Sequence, residues 1–589
     1  MERSLGQLDA VAVSERAGRA TADVRFYARA AGLAAAAGLC FISIRDPDLP
    51  WHLTAARWMA ASRAVPRGDF LSWTMGGKPW IDFEWASEMI FYALDRAGGA
   101  AALWSFRAAA LLAVAALMLG LLRRWGVPKS WDALAAPAFV AALYPLIGMR
   151  PELFSLLLFL IEFHLLEARR LGESKLSAVA FVAWHAPMYA IWANLHAGFV
   201  AGLTLCACYG LAELARPADG RTPAGLLAAS AGLAGTLVNP YGPQIYGVLI
   251  EHLRRMPELH ELINEWGSPD FGLYASTGYW LAAVFSFAGL LALVRQGGSF
   301  PAEHLAVLIV FGALGSRSVR STMYEIIAVF PLGLDAWHRT GLLSRRPRAA
   351  ALAALAAISF AAWRGGAAAI RHGFFGWPKT VEDPAPTRAF DFLRREAPVL
   401  APLRLYNTYS WGGFVEYALW PRYRTFIDGR YLFADLLARV DAAERAPDPW
   451  GRFIADRGVQ VALVDNSGLL VRYPWDLISR PLTVYAWPKR LWALVYWDDE
   501  AMIFVRRTAV PPRWLKRREY RLLCPMDYHH TGLLVVGGRA SAAEVEAEIA
   551  RYRREIGDPE ELSELDNWWP AFRKSLSAGR RKISASSRE

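Results

Sequence analysis

The sequence has few cysteines and lacks the short motifs that identify many soluble enzymes. Its four cysteines, Cys40, Cys206, Cys208 and Cys524, show neither the spacing of a zinc finger nor a disulfide framework. The chain has no phosphate-binding loop of the form G-x-x-x-x-G-K-[ST], no H-E-x-x-H and no G-x-S-x-G. These absences exclude a disulfide-stabilised secreted domain and leave ATP-driven transport and the common hydrolase classes without support.

Charged residues are also scarce, at 20% of the chain, whereas hydrophobic residues make up 54% of it. Apolar runs crowd the first two-thirds, and charge becomes denser after Arg371. This division predicts a transmembrane domain over 1–370, a soluble domain over 371–576 and a disordered basic tail over 577–589. Much of the net charge of +11 lies in short loops between apolar runs, without a groove-reading motif, so we expect no nucleic-acid partner.

Eleven apolar stretches are candidate transmembrane helices, allowing some of them to be short or tilted. They lie near 27–44, 101–122, 131–148, 152–167, 177–193, 196–214, 223–238, 275–294, 302–316, 321–338 and 349–366. The short basic loops between them fall on the side of the N-terminus, which predicts a cytoplasmic N-terminus. An odd number of crossings places the loop 45–100, the segment 239–274 and the soluble domain outside the cytoplasm. Residue usage rich in alanine and arginine suggests a GC-rich bacterial genome, so we expect a multi-pass protein of the bacterial inner membrane.

The soluble part combines helical and extended patterns. Helices are predicted near 385–396, 431–445, 449–457 and 541–555, and strands near 403–406, 413–419, 424–428 and 460–464. The runs Trp492–Trp497 and Ala501–Arg506 flank a short acidic turn and predict a β-hairpin. This alternation indicates a small α/β domain.

The first candidate site is an acidic motif at the outer end of the first apolar stretch, with Asp46 and Asp48 two residues apart. Carboxylates at a membrane face are costly unless they see water or have a function. This pair suits a divalent cation such as Mg²⁺ or Mn²⁺, or a general base that accepts a proton from an acceptor hydroxyl. The structural alternative is that Asp48 caps a helix that begins at Leu49. The motif alone leaves these alternatives open.

Further polar residues follow at the ends of the apolar stretches. Glu84 and Glu88 are one helical turn apart, which also fits a solvated amphipathic helix. Arg317 and Arg320 bracket an outer turn and suit a lipid phosphate, or else they snorkel to the membrane interface. Glu162, His164 and His185 lie within or near the helices; Glu162 and His164 are interpreted first as polar residues near the cytoplasmic side and second as a relay. The remaining candidates, each also explicable as a turn residue, are Arg150, Asn194, His196, Asn239 and Tyr241.

Several of these motifs together resemble a group of bacterial membrane proteins similar to glycosyltransferases of the GT-C fold class. The first-loop pattern carries most of the resemblance: Asp46-Pro47-Asp48, Trp51-His52-Leu53, Pro66 to Asp69, Ser72-Trp73-Thr74 and Pro79-Trp80 to Glu84-Trp85. Weaker matches lie at Arg150-Pro151, Trp192 to His196, Asn239-Pro240-Tyr241-Gly242, Glu265-Trp266, the arginines near 317–320, Trp411-Gly412-Gly413 and Phe426 to Arg430. The resemblance spans most of residues 25–505.

The resemblance implies a multi-span enzyme that transfers a sugar from a polyprenyl-phosphate-linked donor to an unknown glycan, lipid or protein acceptor at the outer face. Asp46 or Asp48 would serve as base or metal ligand. His52 and Glu84 would orient the substrate, and Arg317 or Arg320 would stabilise the departing phosphate. Two other classes stay open: a polysaccharide polymerase or ligase, and a non-catalytic membrane scaffold or lipid-binding protein.

Overall fold

The computed structural model describes residues 26–41, 46–143, 146–215, 224–272, 276–342, 385–466, 469–473, 478–557 and 560–586. The chain divides into two compact units. Unit 1 contains residues 1–67 and 81–383, and unit 2 contains 68–80 and 384–589. The predicted domain boundary at residue 370 stays a prediction. The sequence analysis did not predict that residues 68–80 belong to unit 2.

Unit 1 is helical throughout its described residues. Its helices are α1 (Phe26–Cys40), α2 (Leu49–Ser62), α3 (Trp85–Arg124), α4 (Asp132–Leu143), α5 (Glu152–Arg170), α6 (Ala178–Leu195), α7 (Phe199–Leu214), α8 (Ala224–Thr236), α9 (Gln244–Leu262), α10 (Thr277–Arg295), α11 (Ala302–Gly315) and α12 (Thr322–Thr340). Short 3₁₀ turns lie at Lys129–Trp131 and Val319–Ser321. Helix α3 is broken at Gly98 and Gly99, whose backbone angles are not helical.

The helices of unit 1 follow the predicted apolar stretches to within a few residues at most ends. Helices α3 and α10 are long and apolar enough to cross a membrane, and α1, α7, α8 and α11 are shorter apolar helices. The predicted stretch 349–366 and the end of 27–44 lie outside the described residues. The number of crossings therefore stays a prediction.

Helix α9 was missed by the sequence analysis, which assigned 239–274 to an outer segment. Its charged residues interrupt any long apolar run, so a search for transmembrane stretches passes over it. Only Ile245, Val248 and Leu259 are buried, as expected of a helix with one narrow apolar face. The predicted outer loop 45–100 also contains α2 and the first turns of α3.

Small residues allow α7 and α8 to pack closely. A Cβ atom at Gly210 would meet the backbone of Gly225 and Leu226, and one at Gly225 would meet the backbone of Gly210. Two glycines facing each other bring helix backbones together and increase van der Waals contact, as is common between helices in membranes. Elsewhere in unit 1, α6 packs on α8 and α10 on α12.

Unit 2 combines short helices with a small sheet. Its helices are α13 (Thr387–Arg395), α14 (Ala397–Leu400), α15 (Gly412–Leu419), α16 (Ala434–Glu444), α17 (Pro447–Asp456), α18 (Leu482–Ala486), α19 (Pro512–Arg518), α20 (Tyr528–Val536), α21 (Ala542–Ile556) and α22 (Glu560–Ser586). Its strands are β1 (Leu405–Asn407), β2 (Val461–Asp465), β3 (Leu470–Val471), β4 (Arg480–Pro481), β5 (Trp492–Trp497) and β6 (Ala501–Arg506). Strands β3 and β4 form a separate two-stranded pair.

The main sheet has the strand order β1-β2-β6-β5. Strand β1 runs parallel to β2, whereas β6 is antiparallel to both β2 and β5. The predicted hairpin β5–β6 is present, and nearly all of its residues are buried. Hydrophobic clusters cover both faces of the sheet, which explains why these strands are apolar without alternation.

Two local predictions for unit 2 were wrong. Residues 413–419 form helix α15 and not a strand, because a short apolar run does not distinguish the two structures. The run 424–428 makes a single bridge, between Ser72 and Thr425, in place of a strand. Helix α22 extends to Ser586.

Residues 68–80 are anchored in unit 2 by backbone and side-chain contacts. The backbone N–H of Trp73 donates to the Thr425 carbonyl at 3.0 Å, and the Thr74 hydroxyl donates to the Phe426 carbonyl at 2.5 Å. The Asp69 carboxylate pairs with Arg430 at 2.8 Å. The guanidinium of Arg430 also lies 4.5 Å from the centre of the Trp80 ring. This segment is therefore part of the core of unit 2.

Candidate functional site

The centre of the candidate site is Arg150, whose guanidinium contacts three carboxylates. Its Nε lies 2.8 Å from Asp46 Oδ2, its Nη2 lies 3.0 Å from Asp48 Oδ2, and its Nη1 lies 2.8 Å from Glu265 Oε2. The Asp46 side chain is 2% exposed, whereas Asp48 and Glu265 are 24% and 46% exposed. The buried Asp46 therefore anchors Arg150, and the other two carboxylates face the open side of the group.

The chain positions these groups through residues at helix ends. Arg150 and Pro151 precede α5, and Asp48 immediately precedes α2. A Cβ atom at position 148 would overlap the Asp46 carboxylate, so Gly148 leaves the space that Asp46 occupies. The carboxylate of Asp46 also accepts the backbone N–H of Asp48 at 3.0 Å, which fixes the turn between the two acidic residues.

Asp48 occupies the N-cap position of α2, but its side chain makes no capping hydrogen bond. It accepts the indole N–H of Trp51 at 3.3 Å and pairs with Arg150 instead. The pKa of Asp48 is raised to about 6. Burial is the main cause and the nearby Asp46 and Glu265 carboxylates add to it, whereas Arg150 opposes the shift. A carboxyl group with this pKa changes protonation close to neutral pH, which is useful for a general base.

A second group surrounds Glu84, which lies between two histidines. His196 Nε2 is 3.6 Å from Glu84 Oε1, and His52 Nε2 is 4.0 Å from Glu84 Oε2. The other nitrogen of His52, Nδ1, lies 2.8 Å from Glu88, which is fully buried. Burial raises the pKa of Glu84 well above its ordinary range, and the Glu152 carboxylate raises it further. Burial also lowers the pKa of His52 well below its ordinary value.

Hydrogen bonds fix the tautomer of His196. Its Nδ1 accepts the backbone N–H of Gly198 at 3.0 Å and lies 2.7 Å from the Ser155 hydroxyl oxygen. Ser155 accepts the indole N–H of Trp192 and therefore donates its own proton to His196. Since Nδ1 is an acceptor, Nε2 carries the proton of the neutral ring and presents it toward Glu84.

Arg320 is the second cation of the site, and its guanidinium forms an ion pair with the Glu152 carboxylate. The guanidinium of Arg320 is 5.4 Å from the centre of the Trp266 ring, and its side chain is 32% exposed. Two backbone hydrogen bonds, Val319 to Gly267 at 2.9 Å and Arg320 to Glu265 at 2.8 Å, join this turn to the Glu265 loop. The structure thus places Arg320 beside the carboxylates around Arg150.

We call these residues the acidic cluster: Asp46, Asp48, His52, Glu84, Glu88, Arg150, Glu152, His196, Glu265 and Arg320. It contains six carboxyl groups and only two guanidinium groups. Such an excess of acid in a largely buried region favours protonation of some carboxyls or binding of a cation. Its oxygen donors fit Mg²⁺ or Mn²⁺, and the partly exposed Asp48 and Glu265 would be accessible to an ion that competes with Arg150.

The other predicted site residues lie outside the acidic cluster. Asn194 accepts the Trp85 indole N–H at 2.8 Å and donates to the Ala190 and Val238 carbonyls, so it joins helix ends. Asn239 bonds within its own turn. The Tyr241 hydroxyl donates to the Pro66 carbonyl at 2.8 Å. The side chain of Arg317 is exposed and makes no ion pair within the described parts of the chain.

Glu88, Glu152 and Ser155 complete the cluster or hold it in place. Glu88 was noted beside Glu84 and Glu152 belongs to the Arg150-Pro151-Glu152 motif, but neither was assigned to the site; their near-complete burial is the signal that distinguishes them. Sequence alone does not show burial, so these residues looked like ordinary helix-surface acids. Ser155 gave no signal of its own, since its role depends on a contact 41 positions away.

No protein-family model matches the chain, and no curated protein matches it in sequence. Among solved structures it is similar to the oligosaccharyltransferase AglB of Archaeoglobus fulgidus, solved with an inhibitory peptide and a dolichol-phosphate. The identity is 12%, the TM-score is 0.52, and the match covers 91% of this chain and 87% of AglB. This likeness shows a fold shared with that oligosaccharyltransferase, at an identity too low to show a shared activity.

Two further matches have TM-scores below 0.5, and no conclusion depends on them. An Archaeoglobus fulgidus oligosaccharyltransferase tethered to an acceptor peptide has 13% identity and a TM-score of 0.48, with 74% of this chain and 69% of that chain covered. ArnT from Cupriavidus metallidurans, solved with undecaprenyl phosphate, has 15% identity and a TM-score of 0.41. That match covers 82% of this chain and 98% of ArnT.

Proposed function

We propose that this protein is a membrane glycosyltransferase that moves a sugar from a polyprenyl-phosphate-linked donor to an acceptor at the extracytoplasmic face. The observation that carries the proposal is the acidic cluster, which joins a carboxyl group of raised pKa to two arginines near the ends of helices. The fold similarity to AglB supports the same reading. The positive-inside pattern of the sequence supports a multi-pass protein of the bacterial inner membrane, with its N-terminus in the cytoplasm and unit 2 outside.

Asp48 is the proposed general base. It accepts the proton of an acceptor hydroxyl while the hydroxyl oxygen attacks the anomeric carbon of the donor sugar. The bond between that carbon and the phosphate oxygen breaks, and the lipid phosphate leaves with the bonding electrons. Attack opposite the leaving group inverts the configuration at this carbon. Asp46 and Arg150 act as positioning residues that keep Asp48 in place.

Arg320 is the proposed partner of the departing phosphate. It is partly exposed, it is oriented by Glu152 and Trp266, and a guanidinium suits a phosphate through paired hydrogen bonds. Stabilising negative charge where it develops is commonly the largest contribution to such a reaction. Arg317, which the sequence offered as an equal alternative, is exposed and makes no ion pair within the described residues, so it is assigned no role.

Glu84 and its two histidines are proposed to orient the sugar. Burial raises the pKa of Glu84 and so favours its protonated form, which offers a hydroxyl donor together with a carbonyl acceptor. His196 supplies an N–H beside it, as its tautomer requires. A set of donors and acceptors within 4.0 Å of one carboxyl group suits the adjacent hydroxyls of a sugar.

A divalent cation, if bound, would be held by Asp46 and Asp48, with Glu265 as a further oxygen donor. It would supply positive charge for the phosphate group. Arg150 contacts all three of these carboxylates, so it would have to release at least one of them. Metal removal therefore distinguishes a role of the acids as ligands from a role of Asp48 as base.

The proposal is tested by comparing the Asp48→Asn protein with wild type in inner-membrane vesicles supplied with undecaprenyl-phosphate-linked hexoses labelled in the sugar. We expect transfer to endogenous acceptors to fall about 10²–10⁴-fold, as is typical when a general base is removed. Asp270→Asn is the matched control, because Asp270 is an exposed aspartate of unit 1 that only bonds within its own turn. Full activity of Asp48→Asn would overturn the assignment. Labelled donor that stays bound to wild type without turnover would favour a lipid-binding protein.

A further inference from the structure

Three side chains from separate helices of unit 1 meet in a second polar group, away from the acidic cluster. Glu162 lies on α5, His185 on α6 and Cys206 on α7, and all three are fully buried. Glu162 Oε1 is 3.0 Å from His185 Nε2 and 2.7 Å from Cys206 Sγ. The three candidate ligand atoms all lie within 4.8 Å of one another.

The ring of His185 is held in the orientation of a metal ligand. Its Nδ1 lies 2.7 Å from the Phe181 carbonyl oxygen, which can only accept a hydrogen bond. Nδ1 therefore carries a proton, and Nε2 is the nitrogen presented to Glu162 and Cys206. Metal-bound histidines usually have their second nitrogen fixed by such a bond to a carbonyl or carboxylate.

The second oxygen of Glu162 is an unsatisfied acceptor. Oε2 is buried and has no hydrogen-bond partner within the described parts of the chain. Buried carboxylate oxygens are costly without a partner, so this atom calls for an explanation. If Glu162 binds an ion through both oxygens, the group offers four donor atoms: two carboxylate oxygens, one imidazole nitrogen and one sulfur.

These donors match zinc in type and in charge. Zinc binds cysteine thiolate, imidazole and carboxylate, usually with four donor atoms in a structural site. One thiolate and one carboxylate neutralise the 2+ charge, so the complete group is neutral in an apolar helix bundle, where net charge is costly. The alternative is a carboxylate–imidazolium pair with a neutral thiol, which is also neutral but leaves Oε2 without a partner.

We propose that Glu162, His185 and Cys206 form a structural zinc site that ties together α5, α6 and α7. Sulfur and nitrogen donors select zinc over the oxygen-preferring Mg²⁺ and Mn²⁺, so this site differs in chemistry from the acidic cluster. It is independent of the proposed transferase activity. No short sequence motif marks it, because its ligands are spread over 44 positions.

The zinc content of the purified full-length protein tests this proposal. We expect about one zinc per chain in the wild type after growth with added zinc, and much less in Cys206→Ser and His185→Gln. Cys208→Ser is the matched control, since Cys208 is also buried on α7 but lies outside the group. Cobalt-exchanged protein should show a sulfur-to-cobalt charge-transfer band that Cys206→Ser lacks and Cys208→Ser keeps.

A second measurement covers the case in which the variants fail to fold. On the wild type alone, a chelator should lower the melting temperature and added zinc should restore it. Wild type without zinc, without a cobalt–sulfur band and without a response to chelator would overturn the proposal. Equal zinc loss from folded Cys206→Ser and Cys208→Ser would overturn it as well.

Discussion

Two arginines in this protein each contact three carboxylates, yet their surroundings differ. Arg150 in unit 1 pairs with Asp46, Asp48 and Glu265, of which two are partly exposed. Arg430 in unit 2 pairs with Asp69, Glu416 and Asp428, and all four side chains are at most 1% exposed. The Arg430 group is closed, with each carboxylate buried, whereas the Arg150 group has two carboxylates that solvent can reach. We expect the closed group to stabilise the fold and the open group to be able to bind a ligand.

The largest expected effect is on the closed group. Arg430→Met should leave three buried carboxyl groups without their positive partner, and breaking a buried ion pair in this way costs about 3–5 kcal/mol. We expect unit 2 of the full-length protein to become sensitive to protease at a temperature where the wild type resists. Arg445→Gln is the control, because it removes only an exposed pair with Asp441, worth less than about 1 kcal/mol. Equal resistance of Arg430→Met and wild type would contradict a structural role for this group.

Arg150→Gln should affect activity more than folding. Water can solvate Asp48 and Glu265 after the arginine is removed, but Asp48 loses the contact that positions it. We expect sugar transfer to fall about 100-fold or more, in line with the loss of a positioned base, while the melting temperature changes less than for Arg430→Met. The measurement is transfer activity and thermal unfolding on the same preparation. A variant that unfolds as readily as Arg430→Met would erase the distinction between the two arginines.

Arg320 and Arg317 offer a matched pair three residues apart. Arg320→Gln should lower kcat/KM for the lipid-linked donor about tenfold or more, because a charge-assisted hydrogen bond to the departing phosphate is lost. Arg317→Gln should leave kcat/KM nearly unchanged, since its side chain is exposed and makes no ion pair within the described residues. Steady-state kinetics with the labelled donor compare them. The assignment of the phosphate site would be wrong if Arg317→Gln had the larger effect.

The smallest expected effect is a shift in the pH profile of transfer. Burial and neighbouring carboxylates give Asp48 a pKa of about 6, so the active, ionised base is lost as the pH falls through 6. Glu265→Gln removes one negative neighbour and leaves Arg150 freer to pair with Asp48, and both changes lower this pKa. The acidic limb of log kcat/KM against pH should therefore move to lower pH. An unchanged limb, or one moved to higher pH, would contradict the role of Asp48 as base.

The sequence predicted the elements of the fold better than the contacts between them. Long apolar runs predicted most helices of unit 1, because helices that lie in an apolar environment need many apolar residues and these can be recognised in the sequence. Helix α9 was missed since its charged residues hide it from that criterion. Residues 413–419 were misassigned because Phe414 and Val415 favour a strand locally, whereas the packing of α15 decides the outcome.

The candidate site was predicted as a set of positions, but its geometry was not. Asp46, Asp48 and Arg150 were each named, yet nothing in the sequence showed that one guanidinium would bind both aspartates across 104 positions. Asp48 fits the rule for a helix cap, but its charge-assisted contact with Arg150 competes successfully with a backbone N–H. Asn239 and Tyr241 make structural hydrogen bonds, and residues that build a turn have the same polar character as residues that bind a ligand, so their place in the site stays a prediction.

Unit 2 is discontinuous along the chain, and this has a consequence for synthesis. Residues 68–80 leave the ribosome long before Pro384, about 300 residues later. At roughly 5–20 residues per second, the segment waits about 15–60 s for its partners. During that time Asp69 lacks Arg430, and Trp73 and Trp80 lack the core that later covers them. A nascent chain arrested before residue 384 should therefore present this loop to chaperones or proteases, and completing the second unit would withdraw it.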